Sequence, residues 1–383
     1  MEEKKQKSIN DILPLDLIQR ILLRIPVKHL GRLKCVSKLW HSLISDPDFA
    51  ESHLHLSLAS THACIYKKNS TEAYLIHLEE AFNDKNYKVR ELSFPFKKPP
   101  PSEFRLMGSC RGFVLLHQEP HFFVVWNPLT GFSKRVSYSW LDIVHRTKGR
   151  YFRFSGNAML YGFGYDATLD DYLLVIAWKD SNCPLLDCFS LKTNSWINLD
   201  AAVPKPLSLM EWRSRGLFLN GSIHWFSYYL EKHHSDGLLV FDLKERSFSK
   251  ISLPEQLEMR DAATFFILGG CLALCSQDYV GCKTHIWVMK EYKVHSSWTL
   301  YVIPCLEFEP LCLSNDRDVV AVIYRSLKFA KYNLREELLQ RFRCPLFRLQ
   351  TFNWTWCTVY TESLLPFPSN SKHKDKKKKK NAI

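Results

Sequence analysis

Apolar positions near the start of the chain repeat at helical spacing. A first series ends at Pro26 and comprises Leu17, Ile18, Ile21, Leu22 and Ile25. A second series runs through RLKCVSKLWHSLI, residues 32–44, and stops at Asp46-Pro47. The pattern predicts a small all-α unit. Ser37 either lies inside one long helix or caps the start of a new one, and spacing alone allows both.

This helical unit has more apolar surface than it can hide internally. Of the 38 residues from 12 to 49, 19 are apolar, and about forty residues is near the lower limit for a module that folds alone. One wide stripe is formed by Leu33, Val36, Trp40, Leu43 and Ile44. We expect the stripe to be covered by the rest of the chain, by another protein, or by both.

From about residue 56 the pattern changes to short runs of Val, Ile, Phe, Tyr and Trp between Gly, Asn, Asp and Pro turns. Six weakly similar hairpins, beginning at 73, 123, 185, 238, 284 and 328, recur with a period of about 50 residues. Four short strands per period are typical of a propeller blade. The pattern favours an all-β propeller with six blades; seven blades and a β-sandwich are the alternatives.

The joint between the two parts, AESHLHLSL at residues 50–58, contains neither Gly nor Pro. Such a link predicts a rigid attachment and not a flexible tether. We expect Phe49 and Leu54 to be buried there, against the first or the last blade.

Composition and charge narrow the function. With 46% hydrophobic and 14% aromatic residues, the 383-residue chain is globular, and it shows no signal peptide or membrane span. The net charge of +13 suggests nucleic-acid binding, but residues 372–380 alone carry seven lysines against one aspartate. That basic tail is either a nuclear-import signal or a solvated end. We therefore expect cytoplasmic and/or nuclear localisation, no membrane partner and no nucleic-acid partner.

Candidate catalytic and metal-binding residues fit structural roles better. The 12 cysteines include no C-x-x-C pair, which favours free, mostly buried thiols over zinc or disulfides. Cys110 in GSCRG resembles a nucleophile elbow but precedes a strand and not a helix. A further group fits turns and blade cores and comprises His117, Asp166, Asp170, Asp171 and His224. We expect no catalytic residue, no metal and no cofactor.

The helical stretch resembles a known module. ILPLDLIQRILLRIPVKHLGRLKCVSKLWHSLISDPDFAESHL, from residue 12, is similar to the F-box of plant proteins that join an F-box to an F-box-associated, kelch-like interaction domain. Two positions depart from the family pattern: Gly31 and Leu33 stand where a larger aliphatic residue and a Phe are usual. Because glycine inside a helix costs about 0.5–1 kcal/mol, we expect modestly reduced affinity for a partner there.

The second part carries the same resemblance. WNPLTG at 126, YGFGYDATLDDYLLV at 161, NGSIHW at 220, LLVFDLKERSF at 238 and IWVMKEYKVHSSWT at 286 are similar to pieces of the associated domain, in the family order. They cover most of residues 105–300; the first blade and the stretch after 305 match loosely.

The resemblance implies a non-catalytic, target-recognition subunit of a ubiquitin ligase. Its F-box would bind a Skp-type adaptor, and through it a cullin scaffold, while the propeller captures an unidentified target protein. The residues that would face the adaptor are Leu13, Pro14, Leu17, Ile21, Leu22, Val36, Trp40 and Leu43. The family also implies that Ser37 caps a third helix. A nucleic-acid-associated or scaffold propeller without a ligase role is the alternative.

The predicted organisation therefore has four parts. They are a disordered N-terminus at 1–10, a three-helix F-box at 11–55, a propeller at 56–365 and a disordered basic tail at 366–383. The propeller segments expected to select the target begin at residues 97, 144 and 228.

Overall fold

The structure is a computed structural model. It describes residues 13–57, 62–67, 72–84, 86–96, 104–118, 122–137, 159–178, 185–199, 215–227, 237–257, 264–323, 328–333, 335, 337–344 and 355–368. The predicted N-terminal segment 1–10, most of the basic tail, and nearly all of the three predicted target-selecting segments lie outside these residues.

The N-terminal unit is helical, as predicted. Its helices are α1 (Leu15–Leu23), α2 (Val27–Leu33), α3 (Lys38–Ile44) and α4 (Pro47–Ser57). Ser37 has an extended backbone, and its Oγ accepts a hydrogen bond from the backbone N–H of Trp40 at 3.1 Å. The cap satisfies a free N–H group at the start of α3. The implied break at Ser37 is therefore confirmed.

A fourth helix was not expected. Pro47 cannot continue α3, but proline suits the first turn of a helix, so the same residue begins α4. Asp46 supports this start, because its Oδ1 accepts hydrogen bonds from the N–H groups of Asp48 (2.8 Å) and Phe49 (3.3 Å). The joint predicted at 50–58 is thus largely a helix.

The rest of the described chain forms six four-stranded sheets, or blades. The first three blades are blade 1 (β1 His62–Lys67, β2 Ala73–His77, β3 Val89–Leu92, β24 Thr355–Tyr360), blade 2 (β4 Phe104–Cys110, β5 Phe113–Gln118, β6 Phe122–Trp126, β7 Ser133–Ser137) and blade 3 (β8 Met159–Asp166, β9 Asp171–Trp178, β10 Leu185–Ser190, β11 Ser195–Leu199). A short helix, α5 (Leu78–Asn83), follows β2.

The other three blades follow in chain order. They are blade 4 (β12 Leu217–Leu219, β13 Ser222–Ser227, β14 Gly237–Asp242, β15 Ser247–Ser252), blade 5 (β16 Thr264–Leu268, β17 Cys271–Asp278, β18 Lys283–Met289, β19 Trp298–Ile303) and blade 6 (β20 Phe308–Leu313, β21 Val319–Ile323, β22 Lys328–Tyr332, β23 Leu338–Arg343). The predicted six-bladed propeller is confirmed. Each of the six repeated hairpins forms the two outer strands of one blade, for example β6–β7 in blade 2 and β2–β3 in blade 1.

The blades form a closed ring. The strands β4, β8, β12, β16, β20 and β24 each contact the corresponding strand of both neighbouring blades, so they form the inner wall. Five of these strands come first in their blade, but β24 is the last of the described strands and pairs with β1. The C-terminal strand therefore completes a blade whose other strands are N-terminal.

Close packing between blades explains one glycine motif. Trp225 of β13 is fully buried and donates its indole N–H to the carbonyl of Tyr161 in β8 at 2.9 Å. A Cβ at the next residue, Gly162, would lie 2.4 Å from Ile223 Cγ2. YGFGYD is therefore a strand that another blade approaches closely.

Antiparallel pairing gives the ring two distinct faces. We call the helix face the one that carries the tight turns Arg111–Gly112, Asn220–Gly221 and Gly269–Gly270, because Arg111 meets α4 there. The opposite side, the distal face, carries the β17–β18 turn, residues 279–282, and the β19–β20 connection, residues 304–307.

Candidate protein-interaction surfaces

The helical unit presents apolar side chains to solvent. Leu17 and Ile21 lie one turn apart on α1 and are 41% and 49% exposed. Val36, between α2 and α3, is 58% exposed, and Pro14 is also exposed. Leu13, Trp40 and Leu43 are partly buried against the helical core. Seven of the eight residues implied to face an adaptor thus retain accessible surface.

Leu22 is the exception. Its side chain has no exposed surface and belongs to the helical core with Ile18, Leu30, Ile44 and Phe49. Adjacent helical residues are about 100° apart, so Ile21 points outward while Leu22 points inward. Leu22 therefore supports the apolar surface from below and does not reach a partner in this conformation.

One exposed residue was missed. Leu15, at the first turn of α1, is 53% exposed. Its spacing from Leu22 places it near the buried side of the helix, so periodicity gives no signal of its exposure. The open position of the first turn leaves it accessible. We call Leu15, Leu17, Ile21 and Val36 the exposed F-box patch.

The joint buries both residues expected there. Phe49 is 2% exposed within the helical core, and Leu54 is 3% exposed in a cluster with Met107, Phe113 and Tyr161. These partners lie in blades 2 and 3, so the expected docking against the first or the last blade is wrong. The helix α4 therefore docks on blades 2 and 3.

Two polar contacts brace α4. The ring Nε2 of the buried His53 lies 2.9 Å from the carbonyl oxygen of Ile25, which ties α4 to the connection between α1 and α2. Arg111 forms an ion pair with Glu51. These contacts attach α4 to the helical unit on one side and to blade 2 on the other.

Arg111 is held from several sides. Its backbone is left-handed (φ 47°), its guanidinium lies 3.9 Å from the ring centroid of Tyr165, and its Nε donates to the hydroxyl of Tyr172 at 3.4 Å. Burial acts to lower its pKa, but the hydrogen bonds to Glu51 and Tyr172 outweigh that and raise the pKa of Arg111 above its ordinary value. The cation is thus fixed at the joint.

The distal face is where the predicted target-selecting segments attach. The strands that these segments join end there: β3 to β4, β7 to β8 and β13 to β14. The segments themselves lie outside the described residues. The distal face and the exposed F-box patch therefore belong to opposite sides of the ring.

A described part of the distal face is also apolar. At the β17–β18 turn, Tyr279 is 58% and Val280 is 98% exposed. Asp278 Oδ1 accepts hydrogen bonds from the N–H groups of Val280 (3.1 Å) and Gly281 (2.8 Å), which fixes the turn. The residue types did not predict this exposure, because tyrosine and valine are also common in buried strands.

The candidate catalytic residues Cys110 and His117 are both buried. Cys110 is 5% exposed and burial raises its pKa to about 12, so the thiol is not an activated nucleophile. A strand follows it, as expected. His117 has no exposed surface and stacks on Phe123 at 4.3 Å; burial, aided by the charge of Arg105, lowers its pKa to about 3.

His224 is likewise part of a blade core. It has no exposed surface, its Nδ1 lies 3.2 Å from the carbonyl oxygen of Leu217, and its Nε2 lies 2.8 Å from the hydroxyl of Tyr292. Burial is the main cause that lowers its pKa to about 4. The prediction of a core histidine is confirmed.

The three aspartates flank the β8–β9 turn and have separate partners. Asp166 pairs with Arg246 at 2.8 Å, and Asp170 accepts a hydrogen bond from the hydroxyl of Tyr165 at 2.7 Å. Asp171 accepts from Ser190 and from the N–H of Lys192. Within the described ranges, no three His, Cys, Asp or Glu side chains are grouped so that they could hold a metal ion.

Two further features concern the described part only. Its cysteines are all free, and six of them are buried, namely Cys64, Cys110, Cys188, Cys275, Cys312 and Cys344. Among its helices, none combines the length and the apolar character needed to span a bilayer.

Comparison with known proteins agrees with this architecture. The F-box domain family matches residues 11–52, and the F-box associated beta propeller domain family matches residues 63–337. The latter match alone covers more than half of the chain.

Individual relatives point the same way. F-box protein CPR1 of Arabidopsis thaliana is 30% identical over 370 residues, covering 87% of this chain and 85% of the relative. F-box/kelch-repeat protein At3g23880 of Arabidopsis thaliana is 29% identical over 339 residues, covering 84% and 87%. The structure of virginiamycin B lyase from Staphylococcus aureus gives a TM-score of 0.38 at 10% identity, over 76% of this chain and 86% of that one. The chain belongs to the plant F-box proteins that carry an F-box-associated β-propeller domain.

Proposed function

We propose that this chain is the substrate-recognition subunit of a Skp–cullin–F-box ubiquitin ligase. In this proposal the exposed F-box patch binds a Skp-type adaptor, and the distal face of the propeller captures a target protein. An F-box followed by a β-propeller is typical of such subunits, and F-box proteins are generally non-catalytic adaptors.

The observation that supports adaptor binding is the exposure of four large apolar side chains of the helical unit, Leu15, Leu17, Ile21 and Val36. Exposure of apolar side chains to water is unfavourable by about 25 cal/mol for each Å² of apolar surface. Binding of a partner removes this surface from water. The departure at Gly31 leaves open space on α2, which is in line with a modestly weakened contact.

The proposed role in ubiquitin transfer is positional. The chain contributes no transfer chemistry in this proposal; it holds target lysines at a high effective concentration near the ubiquitin-charged enzyme that the cullin recruits. A braced joint serves that role, because the target and the adaptor then keep one relative orientation. The helix α4 supplies the bracing through three of its residues: His53 contacts the Ile25 carbonyl, Leu54 packs on the blades, and Glu51 pairs with Arg111.

Adaptor binding is tested by co-purification with a Skp-type adaptor. The double variant Leu15→Asp/Ile21→Asp and the variant Leu13→Ala/Pro14→Ala should recover much less adaptor, while thermal unfolding of the propeller stays unchanged. The matched control is Leu56→Asp, on a 62% exposed leucine of α4 outside the patch. Undiminished recovery with both double variants contradicts the assignment.

Target capture is tested by proximity labelling in cells with a proteasome inhibitor present. Proteins labelled by the wild type should be lost with Tyr279→Ser/Val280→Ser, because truncating these side chains removes rigid apolar contacts from the distal face. The control is Leu338→Ser/Leu339→Ser, which removes two other exposed apolar side chains, from the outer strand of blade 6.

The alternative is a scaffold or nucleic-acid-associated propeller without a ligase role. It predicts that the labelled proteins neither accumulate with the inhibitor nor depend on the exposed F-box patch. Labelling that persists in the Leu15→Asp/Ile21→Asp variant without target accumulation in the wild type would favour it.

A further inference from the structure

The chain does not end at the strand that closes the propeller. After β24, residues 361–368 turn back along the helix face, and we call them the C-terminal clasp. Ser363 has no exposed surface, and Glu362 and Leu365 are 5% and 8% exposed. An eight-residue segment without secondary structure is rarely buried to this degree unless it has a packing role.

Polar contacts attach the clasp to blades 1 and 2. Glu362 forms an ion pair with Arg90 of β3. The carbonyl oxygen of Ser363 accepts a hydrogen bond from Asn127 Nδ2 at 3.1 Å. Asn127 is fully buried, and its Oδ1 also accepts from the N–H groups of Leu129 and Thr130, so the WNPLTG turn is organised around the residue that holds the clasp.

Apolar and steric fit complete the attachment. Phe367 packs against Phe113 and Phe132, with ring centroids at 5.6 and 4.6 Å. A Cβ at Gly112 would lie 2.1 Å from the Cβ of Ser363, so the β4–β5 turn leaves room for the clasp only because residue 112 is glycine. Phe367 falls in the segment that the sequence assigns to the tail, but it is packed here.

Leu364 connects this segment to the F-box. Its side chain packs against the helical core that contains Ile18, Leu22 and Phe49, and also against the cluster of blades 2 and 3 that contains Leu54. The clasp therefore packs at the joint together with α4 and the β4–β5 turn, and it contacts both the F-box core and the propeller.

We propose that the C-terminal clasp is a positioning element that fixes the orientation of the F-box on the propeller. The clasp is anchored to the ring by Glu362, Ser363 and Phe367, and Leu364 presses on the F-box core. Without it, α4 keeps its contact through Leu54 and Arg111 but loses the support on its other side, so the F-box samples a range of angles. The inference concerns geometry; only its consequence for ubiquitin transfer rests on the proposed function.

The test measures the angle directly. Dyes are attached through non-canonical amino acids at Lys28 on α2 and Lys250 on β15, both exposed, and single-molecule energy transfer is recorded on the otherwise full chain. Truncation after Tyr360 removes the clasp and the tail, whereas truncation after Pro368 removes the tail alone and is the matched control. Leu364→Asp, with Leu364→Met as its control, tests the contact without shortening the chain.

We expect broader and shifted transfer-efficiency distributions for the Tyr360 truncation and Leu364→Asp, and wild-type distributions for both controls. If the Tyr360 truncation fails to fold, which the melting of the propeller reports, Leu364→Asp decides. Wild-type distributions in Leu364→Asp overturn the proposal. Adaptor recovery, measured on the same samples, reports separately on the proposed function. If the wild type does not bind the adaptor, the proposed function is wrong, but the result on the orientation of the F-box is unaffected.

Discussion

Glu51 on α4 and Arg111 in the β4–β5 turn form an ion pair that crosses from the F-box to the propeller. Arg111 contributes more than its charge, because its guanidinium also lies on the Tyr165 ring and bonds the Tyr172 hydroxyl. The two partners of this ion pair should therefore differ in how much stability each supplies.

We expect Glu51→Gln to lower the free energy of unfolding by about 0.5–1 kcal/mol, since the carboxylate is more than a third exposed and solvent screens it. Arg111→Ala should cost about 2 kcal/mol, because it also removes the contact with Tyr165. Urea unfolding of the two single variants and the double variant gives the coupling energy. Equal losses for the two single variants would show that the ring contact is unimportant.

Neighbouring residues on α1 should give opposite phenotypes. Leu22→Ala removes a fully buried side chain and should destabilise the F-box by about 2–5 kcal/mol. Ile21→Ala removes a half-exposed one and should leave stability within about 1 kcal/mol while reducing adaptor recovery. Hydrogen exchange of the F-box helices, measured beside adaptor binding, separates the two effects. A stability loss in Ile21→Ala as large as that in Leu22→Ala would contradict the assignment of Leu22 to the buried side of α1 and of Ile21 to the exposed side.

Buried histidines should make the propeller sensitive to acid. Burial lowers the pKa of His224 to about 4 and that of His117 to about 3, from 6.5. As pH falls below about 6.5 the unfolded chain binds protons that the folded chain does not, so stability decreases by about 1 kcal/mol per pH unit for each histidine until the folded pKa is reached. His224→Gln should be less stable at pH 7 but lose less on going to pH 5, in urea titrations. An unchanged difference in His224→Gln would refute the linkage.

Two glycines should respond to alanine with opposite signs. A Cβ at Gly31 on α2 would meet nothing within 4 Å, so Gly31→Ala should stabilise the F-box by about 0.5–1 kcal/mol and strengthen adaptor binding slightly. Gly162→Ala would place its Cβ 2.4 Å from Ile223, so it should destabilise the propeller by about 1–3 kcal/mol. Melting temperatures of the two variants measure both effects. A stabilising Gly162→Ala would mean that blades 3 and 4 can separate without cost.

The sequence predicted those features that repeat or that depend on local chemistry. The six hairpins follow from apolar strands that alternate with turn residues. Spacing alone allowed Ser37 either inside one helix or at a cap, and the family resemblance implied the cap. Spacing could not separate Leu22 from Ile21, because both belong to the first apolar series and only the position of the neighbouring helices decides which is buried. The exposure of Leu15 and of Val280 likewise depends on where an element ends and not on its residue types.

The joint shows the same limit at longer range. Burial of Phe49 and Leu54 followed from their apolar character, but the choice of blades 2 and 3 depends on contacts between residues far apart in the chain, such as the packing of Leu54 in one cluster with Met107 and Tyr161. Residues 361–368 carry no periodicity and lie beyond residue 337, where the match to the propeller family ends, so their sequence did not indicate that they pack at the joint.

Closure of blade 1 by β24 has a consequence for synthesis on the ribosome. The edge of β1 that pairs with β24 stays without its partner until nearly the whole chain has been made, which takes roughly 15–60 s at about 5–20 residues per second. An unpaired edge strand is a template for aggregation during that interval. Nascent chains should therefore depend on chaperones until β24 is made, and a premature stop between the end of blade 6 and residue 355 should yield an insoluble ring fragment and not a smaller functional propeller.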